Sequence, residues 1–349
     1  MNSEQAFDET QDLVSLEDQR GVLKVLQDLQ VCGSDESILA IEKAGEGNMN
    51  LVMRVVTESR SVIVKQARPW VEKYPTIAAP IDRVLAEIDF YQRIRLHQRL
   101  AEVTPEVIAV STELRLFVMQ DLGKSADFTF LYEGEESSEQ RDKVFEKAIA
   151  WLRILHSCVV ENGGQVGCQS LRELNCEHMF SIPFAEPPSI SLDSVCPGLE
   201  LGSLELREDV VLAEISSQLA KTYLEPNSQN SVLLHGDYYP GSWLSTSAGF
   251  RVIDPEFCFY GPAEFDLGVL AAHLILCHGA ADRSTIDWVI ESYAERVNKP
   301  MVFGFAGIEL IRRLIGVAQL PLNATLTTRL EWLRLGRTFL NEFSQAMDA

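Results

Sequence analysis

The spacing of apolar residues changes character near residues 119–124, and this change restricts the folds open to the chain. Before that point, short apolar runs such as residues 51–56 and 61–66 predict strands, and one helix is expected from about residue 80 to residue 100. After it, apolar residues recur mainly at the three- and four-residue spacing of helices. We therefore predict an α+β fold of two lobes, with a β-rich N-lobe and an α-rich C-lobe.

The same pattern divides the chain into three segments. Residues 1–36 are predicted to be an N-terminal helical segment, residues 37–121 the N-lobe and residues 122–349 the C-lobe. A short β segment at residues 232–253 interrupts the C-lobe helices. Residues 162–202, rich in Gly, Pro and Ser, are predicted to be mostly loop that covers a bound substrate. The C-lobe helices are predicted at residues 139–158, 206–224, 262–278, 284–297, 302–319 and 327–347.

Composition narrows the partners and the compartment. The 349 residues include 51 acidic and 30 basic side chains, and the net charge of −21 argues against nucleic acid or an anionic membrane surface as the main partner. Seven cysteines without Cys-x-x-Cys spacing fit a reducing compartment. The chain begins with a polar stretch unlike a signal peptide, and no apolar run reaches the roughly 18 residues of a membrane span. We expect a cytoplasmic protein.

Two short acidic signatures follow predicted strands in the second half of the chain. His235-Gly236-Asp237 follows the apolar run 232–234, and Asp254 and Glu256 lie 17 and 19 residues after Asp237. Carboxylates at the ends of apolar strands are costly to desolvate unless a metal or a substrate hydroxyl uses them. One carboxylate that orients a hydroxyl, with a nearby pair that holds Mg²⁺, suits phosphoryl transfer from ATP. The leading hypothesis is a kinase.

The N-lobe carries two features that fit this hypothesis. The segment 45–48 contains Gly45 and Gly47 between two predicted strands, although such a pair is more often a plain turn than a nucleotide loop. Lys65 interrupts an otherwise apolar strand. It is either an edge lysine whose stem lies on the sheet or a ligand of the nucleotide phosphates held by a helix glutamate, for which Glu87 is the best candidate.

Four stretches resemble the 5-methylthioribose kinases, within the broad aminoglycoside phosphotransferase and choline kinase group. They are Gly45-Glu46-Gly47-Asn48-Met49-Asn50-Leu51-Val52, Ser61-Val62-Ile63-Val64-Lys65-Gln66-Ala67, Ile253-Asp254-Pro255-Glu256-Phe257 with Phe259-Tyr260-Gly261-Pro262, and Ile311-Arg312-Arg313-Leu314-Ile315-Gly316-Val317-Ala318. The acidic stretch is the most specific, because the wider group usually has Asp-x-Glu or Asp-Trp-Glu there. Weaker similarity at residues 119–122 and 175–187 extends the resemblance over most of residues 40–320.

The resemblance implies a protein-kinase-like fold and transfer of the γ-phosphate of ATP, with Mg²⁺, to the 1-hydroxyl of 5-methylthioribose in methionine salvage. It also implies a homodimer. The residues expected at the nucleotide are Gly45, Gly47, Asn48, Lys65, Glu87, Gln120 and Leu122. The remaining site residues are expected to be Asp237 as catalytic base, Asp254 and Glu256 as metal ligands, and Arg312 and Arg313 at the acceptor, together with Asp237.

One loop departs from the family pattern. The 5-methylthioribose kinases continue as His-Gly-Asp-Leu-His-x-Gly-Ser, whereas this chain has Tyr239 in place of the second histidine. Ser242 agrees with the 5-methylthioribose kinases, which have Gly-Ser at this position, whereas the wider group has an asparagine there that binds metal. Arg312 and Arg313 are ambiguous from periodicity alone, since adjacent helical residues point about 100° apart and a solvated pair is the simpler interpretation.

Two alternatives to a 5-methylthioribose kinase stay open at the level of sequence. The first is a kinase for another small alcohol, such as an aminoglycoside, choline or a homoserine-like compound. The second is a pseudokinase that binds nucleotide or sugar without transferring phosphate. The presence of Lys65, Asp237, Asp254 and Glu256 together argues against the second.

Overall fold

The computed structural model describes residues 13–15, 17–45, 49–158, 166–227 and 229–347. It confirms the predicted α+β architecture, with a β-sheet in the N-terminal part and helices in most of the remainder. Among the described residues, no helix is both long enough and apolar enough to cross a membrane.

An antiparallel sheet of five strands forms the N-terminal part, in the spatial order β1-β2-β3-β7-β6. These strands are β1 (Ile38–Lys43), β2 (Leu51–Thr57), β3 (Ser61–Gln66), β6 (Val107–Ser111) and β7 (Leu116–Gln120). A small separate hairpin of β4 (Trp70–Val71) and β5 (Tyr74–Ala78), which the sequence did not predict, follows β3.

Helices cover both faces of this sheet. On one face, α1 (Gln19–Asp28) packs Val22 and Leu26 against the sheet, and its N-cap is Asp18. On the other face lies α2 (Arg83–Ile94), followed by the one-turn α3 (Gln98–Ala101). The single helix predicted over residues 80–100 is therefore two helices. Because both faces are covered, β3 is buried over most of its length, and any charged side chain on it needs a partner.

The helical part is built around α10 (Ala263–His278), most of whose residues are buried. Gly307 lets two neighbouring helices approach closely, since a Cβ there would lie 2.7 Å from the carbonyl oxygen of Gly336. The long helices are α4 (Ser138–Ser157), α9 (Val210–Leu224), α10 (Ala263–His278), α11 (Ser284–Tyr293), α12 (Lys299–Ile315) and α13 (Leu326–Met347). The predicted C-lobe helices are confirmed, with ends that shift by a few residues.

The prediction of a mostly loop segment at residues 162–202 is wrong over its described part. Residues 169–207 form a chain of short helices: α5 (Gln169–Cys176), a π-helical turn at Glu177–Ser181, a 3₁₀ turn at Ile182–Phe184, α6 (Leu192–Val195), α7 (Leu199–Gly202) and α8 (Leu204–Arg207). Helices of one or two turns are shorter than the window in which helical periodicity can be recognised.

The predicted β segment inside the helical part consists of two small sheets. In the first, β10 (Trp243–Thr246) pairs with β11 (Gly249–Val252) and with the short β8 (Ala126–Asp127). In the second, β9 (Val232–Leu234) pairs with β12 (Phe259–Gly261). The loops that leave β9 and β11 carry the two acidic signatures.

Candidate active site

Lys65 is the centre of a buried charge cluster. Its ammonium lies 2.8 Å from Glu87 Oε2 on α2 and 2.7 Å from Asp254 Oδ1 on the loop after β11. Burial alone would lower the pKa of Lys65, but the carboxylates of Asp254 and Glu87 outweigh it and raise that pKa. The alternative of an edge lysine with its stem on the sheet surface is therefore wrong. The predicted contact between Lys65 and Glu87 is present.

The loop after β11 presents its two carboxylates differently. Asp254 adopts a positive φ of 60°, a backbone conformation that few residues other than glycine enter, and its side chain is 40% exposed. Glu256, two residues further on, is buried, and burial raises the pKa of its carboxyl group. One carboxylate thus faces the open side of the site and the other lies beneath it.

Asn50 and Arg83 hold Glu256, and sequence reasoning did not assign either of them to the site. Asn50 donates its amide to Glu256 Oε2 at 2.6 Å and accepts a hydrogen bond from Arg83 Nε at 2.9 Å. The guanidinium of Arg83 is fully buried and donates its other hydrogen bonds to the carbonyl oxygens of Met49, Arg68, Trp70 and Pro80. Asn50 lies in the stretch 45–52, which resembles the 5-methylthioribose kinases. Nothing in the helical pattern of the sequence marks Arg83 as buried.

Asp266, on the first turn of α10, shapes the loop that carries Asp237. Its two carboxylate oxygens accept the backbone N–H groups of His235 and Gly236 at 2.8 and 3.0 Å. Gly236 is required there, because φ is 87° and a Cβ would lie 2.0 Å from the carbonyl oxygen of Phe257. His235 Nε2 bonds the carbonyl oxygen of Ile253 at 2.9 Å, which ties this loop to the one carrying Asp254.

Arg312 and Arg313 converge on Asp237 from the C-terminal turn of α12. Arg313 Nη2 donates to Asp237 Oδ1 at 3.1 Å, and Arg312 Nη2 lies 4.0 Å from the same oxygen. Both guanidinium groups also contact Glu309, at 3.0 Å from Arg312 Nη1 and 2.6 Å from Arg313 Nε. Both arginines are buried, so the interpretation as a solvated pair is wrong. Their long side chains bridge the 100° between adjacent positions because Glu309 lies between them.

Tyr239 lies on the same side of the site as the arginines. The centre of its ring is 4.6 Å from Arg313 Cζ and 5.1 Å from the centre of the His273 ring. His273 Nε2 in turn contacts Glu309 Oε1 at 3.0 Å. The residue that departs from the family pattern is therefore in direct contact with a predicted acceptor residue.

The structure says less about the other residues that were predicted to bind the nucleotide. Gly47 and Asn48 lie outside the described residues, and Gly45 is the last described residue before them, with a φ of 79°. Gln120 ends β7, and its side chain accepts the backbone N–H of Glu106 at 3.4 Å. Leu122 is half-buried in the connection to the helical part. Their predicted role at the nucleotide stays a prediction.

Comparison with known proteins identifies the class. Residues 40–287 match the phosphotransferase enzyme family, and the chain belongs to that family. It is thus a phosphotransferase that acts on an alcohol acceptor, as predicted.

Individual relatives give a finer comparison. The chain is 27% identical to the methylthioribose kinase of Exiguobacterium sibiricum, over 86% of this chain and 87% of that one. It is 28% identical to the methylthioribose kinase of Bacillus cereus strain AH187, over 87% of each. It is 26% identical to methylthioribose kinase 1 of Oryza sativa, over 72% of this chain and 59% of that one.

Solved structures share the fold. Choline kinase LicA from Streptococcus pneumoniae superimposes with a TM-score of 0.51, at 12% identity, over 93% of this chain and 99% of that one. A spectinomycin phosphotransferase in complex with ADP and spectinomycin gives 0.52, at 13% identity, over 93% and 98%. At these identities the likeness concerns the fold, and the predicted fold class is confirmed.

Proposed function

We propose that this chain is an ATP-dependent sugar kinase that phosphorylates the 1-hydroxyl of 5-methylthioribose with the help of Mg²⁺. The observation that carries the proposal is the pairing of Asp237 with Arg313 beside the cluster of Lys65, Glu87 and Asp254. Phosphoryl transfer needs groups at the phosphates and a carboxylate at the attacking hydroxyl, and this arrangement supplies both. The curated relatives named methylthioribose kinase support this acceptor.

Asp237 is the proposed base. Arg313 occupies its Oδ1, and no hydrogen bond within the described part of the chain engages Oδ2. The side chain is 20% exposed, so this oxygen can accept the proton of an incoming hydroxyl. Arg312 Nε is buried and has no hydrogen-bond partner among the described residues.

Lys65 is the proposed ligand of the nucleotide phosphates. Its two carboxylate partners keep the ammonium charged despite burial, and Glu87 fixes its direction. Phosphate oxygens carry more charge than one lysine offsets, so the negatively charged nucleotide needs a further cation.

Asp254 and Glu256 fit a magnesium ion that shares its coordination with phosphate. The described residues contain no group of three or more His, Cys, Asp or Glu side chains that could hold a metal alone. Mg²⁺ in kinase sites is typically bound by one or two carboxylates together with substrate phosphates, and the exposed Asp254 with the Asn50-held Glu256 matches that donor set. When bound, the ion would neutralise the charge that develops on the phosphates.

A substrate screen with ADP release as readout tests the proposal. The purified protein is assayed with MgATP against 5-methylthioribose, an aminoglycoside, choline and homoserine, with Asp237→Ala as the matched control. We expect turnover with 5-methylthioribose that is lost in Asp237→Ala. Turnover of another alcohol but not of 5-methylthioribose would overturn the acceptor assignment, and nucleotide binding without any turnover would identify a pseudokinase.

Tyr239 favours one second candidate, a kinase for another small alcohol. It replaces the second histidine of the family loop and lies beside the acceptor arginines, where a change of side chain alters the shape of the pocket. The same screen distinguishes the two. The cytoplasmic location and the homodimer stay predictions, and light scattering of the purified protein tests the homodimer.

A further inference from the structure

The guanidinium of Arg313 lies over the ring of Tyr239. The Cζ atom of Arg313 is 4.6 Å from the centre of the Tyr239 ring, and the arginine is only 4% exposed. A cation over an aromatic face is attracted by the ring quadrupole, and the attraction is strongest where water is excluded. The contact is thus of the kind that can fix a side chain in place.

Three hydrogen bonds hold the guanidinium at its edges, and the group lies over the ring of Tyr239. Nε donates to Glu309 Oε1 at 2.6 Å and Nη2 donates to Asp237 Oδ1 at 3.1 Å. Nη1 donates to the carbonyl oxygen of Ala318 at 3.5 Å, which is long for a hydrogen bond. Because the bond to Ala318 is long and weak, the two shorter bonds leave the group some freedom to tilt about the line that joins them. The ring of Tyr239, whose centre lies 4.6 Å from Cζ, restricts that freedom, because tilting would move the guanidinium against the ring or away from it.

The ring of Tyr239 is itself held rigidly. A Cβ added to Gly241 would lie 2.5 Å from Tyr239 Cζ, which shows how closely the backbone covers the ring. His273 lies against Tyr239, donates to Glu309 at 3.0 Å and bonds the hydroxyl of Tyr132 at 2.6 Å. Glu309 and Tyr239 therefore both contact Arg313, and both are themselves in contact with His273.

We propose that Tyr239 is a positioning residue, which fixes the plane of the Arg313 guanidinium and thereby the direction of the Asp237 carboxylate. It acts through its ring and not through its hydroxyl, which has no hydrogen-bond partner among the described residues. The kinetic consequence rests on the proposed function, in which Asp237 and Arg313 meet the acceptor. The structural consequence, the ordering of Arg313, does not depend on it.

A double-mutant cycle tests the kinetic consequence with whichever alcohol the wild-type protein phosphorylates. Tyr239→Leu removes the ring and is expected to lower kcat by about tenfold while KM for ATP stays unchanged. Tyr239→Phe keeps the ring and is expected to restore most of that loss. In an Arg313→Lys background, Tyr239→Leu is expected to have little further effect, because the two residues act as a unit. Additive losses would overturn the proposal, because the two residues would then act independently. A Tyr239→Phe variant as impaired as Tyr239→Leu would overturn it in favour of a direct contact between the hydroxyl and the acceptor.

Arginine side-chain NMR tests the ordering of Arg313 without any acceptor. Spectra of ¹⁵N-labelled protein are recorded, and the Arg313 Nε–H signal is assigned from its loss in Arg313→Lys. The proposal predicts a ring-shifted signal that persists in Tyr239→Phe and moves in Tyr239→Leu. Phe303→Leu is the matched control, since it removes the ring 5.0 Å beneath Arg283 and should leave the Arg313 signal in place.

The two readouts separate failure of this inference from failure of the proposed function. An unchanged Arg313 signal in Tyr239→Leu would refute the positioning role, whatever the acceptor. A shifted signal in a protein that does not phosphorylate 5-methylthioribose would leave the positioning role in place and reject the proposed acceptor.

Discussion

The ammonium of Lys65 lies 2.7 Å from the carboxylate of Asp254 and joins the N-terminal sheet to the helical part of the chain. Lys65 is on β3, Asp254 follows β11, and Glu87 on α2 completes the cluster at 2.8 Å. One cation therefore faces two carboxylates from different elements. Because Lys65 and Glu87 are almost completely buried, neither charge can be satisfied by water if the other is removed.

Replacement of Lys65 by methionine is expected to reduce both activity and stability. We predict a fall in kcat/KM of roughly 10²- to 10³-fold, the loss seen when one preorganised donor is removed from an active site. The uncompensated Glu87 is expected to destabilise the fold by about 3 kcal/mol or more, measured by urea unfolding. Lys124→Met is the control, because Lys124 is 82% exposed and its ion pair with Glu42 is long at 3.6 Å. Wild-type kcat/KM in Lys65→Met would contradict the assigned role.

The sequence predicted the charged centres of the site because each breaks a local pattern. Lys65 interrupts an apolar strand, and Asp237 and Asp254 end such strands, so their cost of burial indicated a function. Glu87 was predicted as the partner of Lys65 from the order of elements, and the ion pair is present. The order of lobes and most long helices were also predictable, since they depend on periodicity over many residues.

Asn50 is expected to tune the affinity for the metal. It donates to Glu256 Oε2 at 2.6 Å, so Asn50→Ala frees the carboxylate to rotate. Loss of such an outer contact typically weakens metal binding by about 10- to 100-fold, and we predict a rise of that order in the Mg²⁺ concentration for half-maximal activity. The measurement is a Mg²⁺ titration of activity at saturating ATP.

The control for Asn50 is another buried asparagine. Asn175 donates to the hydroxyl of Tyr223 at 3.0 Å, in the helical part of the chain. Asn175→Ala is expected to lower stability but to leave the Mg²⁺ requirement unchanged. Equal Mg²⁺ requirements in wild type and Asn50→Ala would show that Asn50 does not position a metal ligand.

Asp266 is expected to be the strongest structural determinant of the Asp237 loop. In Asp266→Asn, one of the two backbone N–H groups of His235 and Gly236 would face an amide nitrogen and lose its acceptor. We predict a loss of about 3 kcal/mol in the free energy of unfolding and a lower kcat, since the loop would shift. Asp287→Asn is the matched control on a helix first turn, where the half-exposed ion pair with Lys299 should contribute only about 0.5 kcal/mol. Equal losses in the two variants would contradict this role.

The supporting residues could not be predicted from local pattern. Asp266 and Glu309 occupy helices in which an isolated acidic residue is expected to face solvent, yet both are fully buried. What stabilises them is tertiary: backbone amides of a distant loop for Asp266, and two arginines with a histidine for Glu309. The short helices of residues 169–207 were missed for a related reason, because packing and not periodicity maintains them.

His273 is expected to make the stability of the protein depend on pH below neutrality. It is fully buried between Tyr132 and Glu309, and burial, with Arg313 nearby, lowers its pKa from 6.5 to about 4. The unfolded chain therefore binds a proton at His273 between pH 6.5 and pH 4 that the folded protein does not bind. Stability from this group is complete above pH 6.5 and is lost as the pH falls through that window.

The expected loss at His273 is about 2 kcal/mol between pH 7 and pH 5, measured by urea unfolding at the two values. His273→Gln cannot titrate, and its amide can still donate towards Glu309, so it serves as the comparison. It is expected to be less stable than wild type at pH 7, yet to lose about 2 kcal/mol less than wild type on going to pH 5. The difference between the two pH dependences isolates His273 from the other groups that titrate in this range. Parallel pH dependences in the two proteins would show that the folded protein binds the proton as readily as the unfolded chain, with a charged imidazolium beside Glu309.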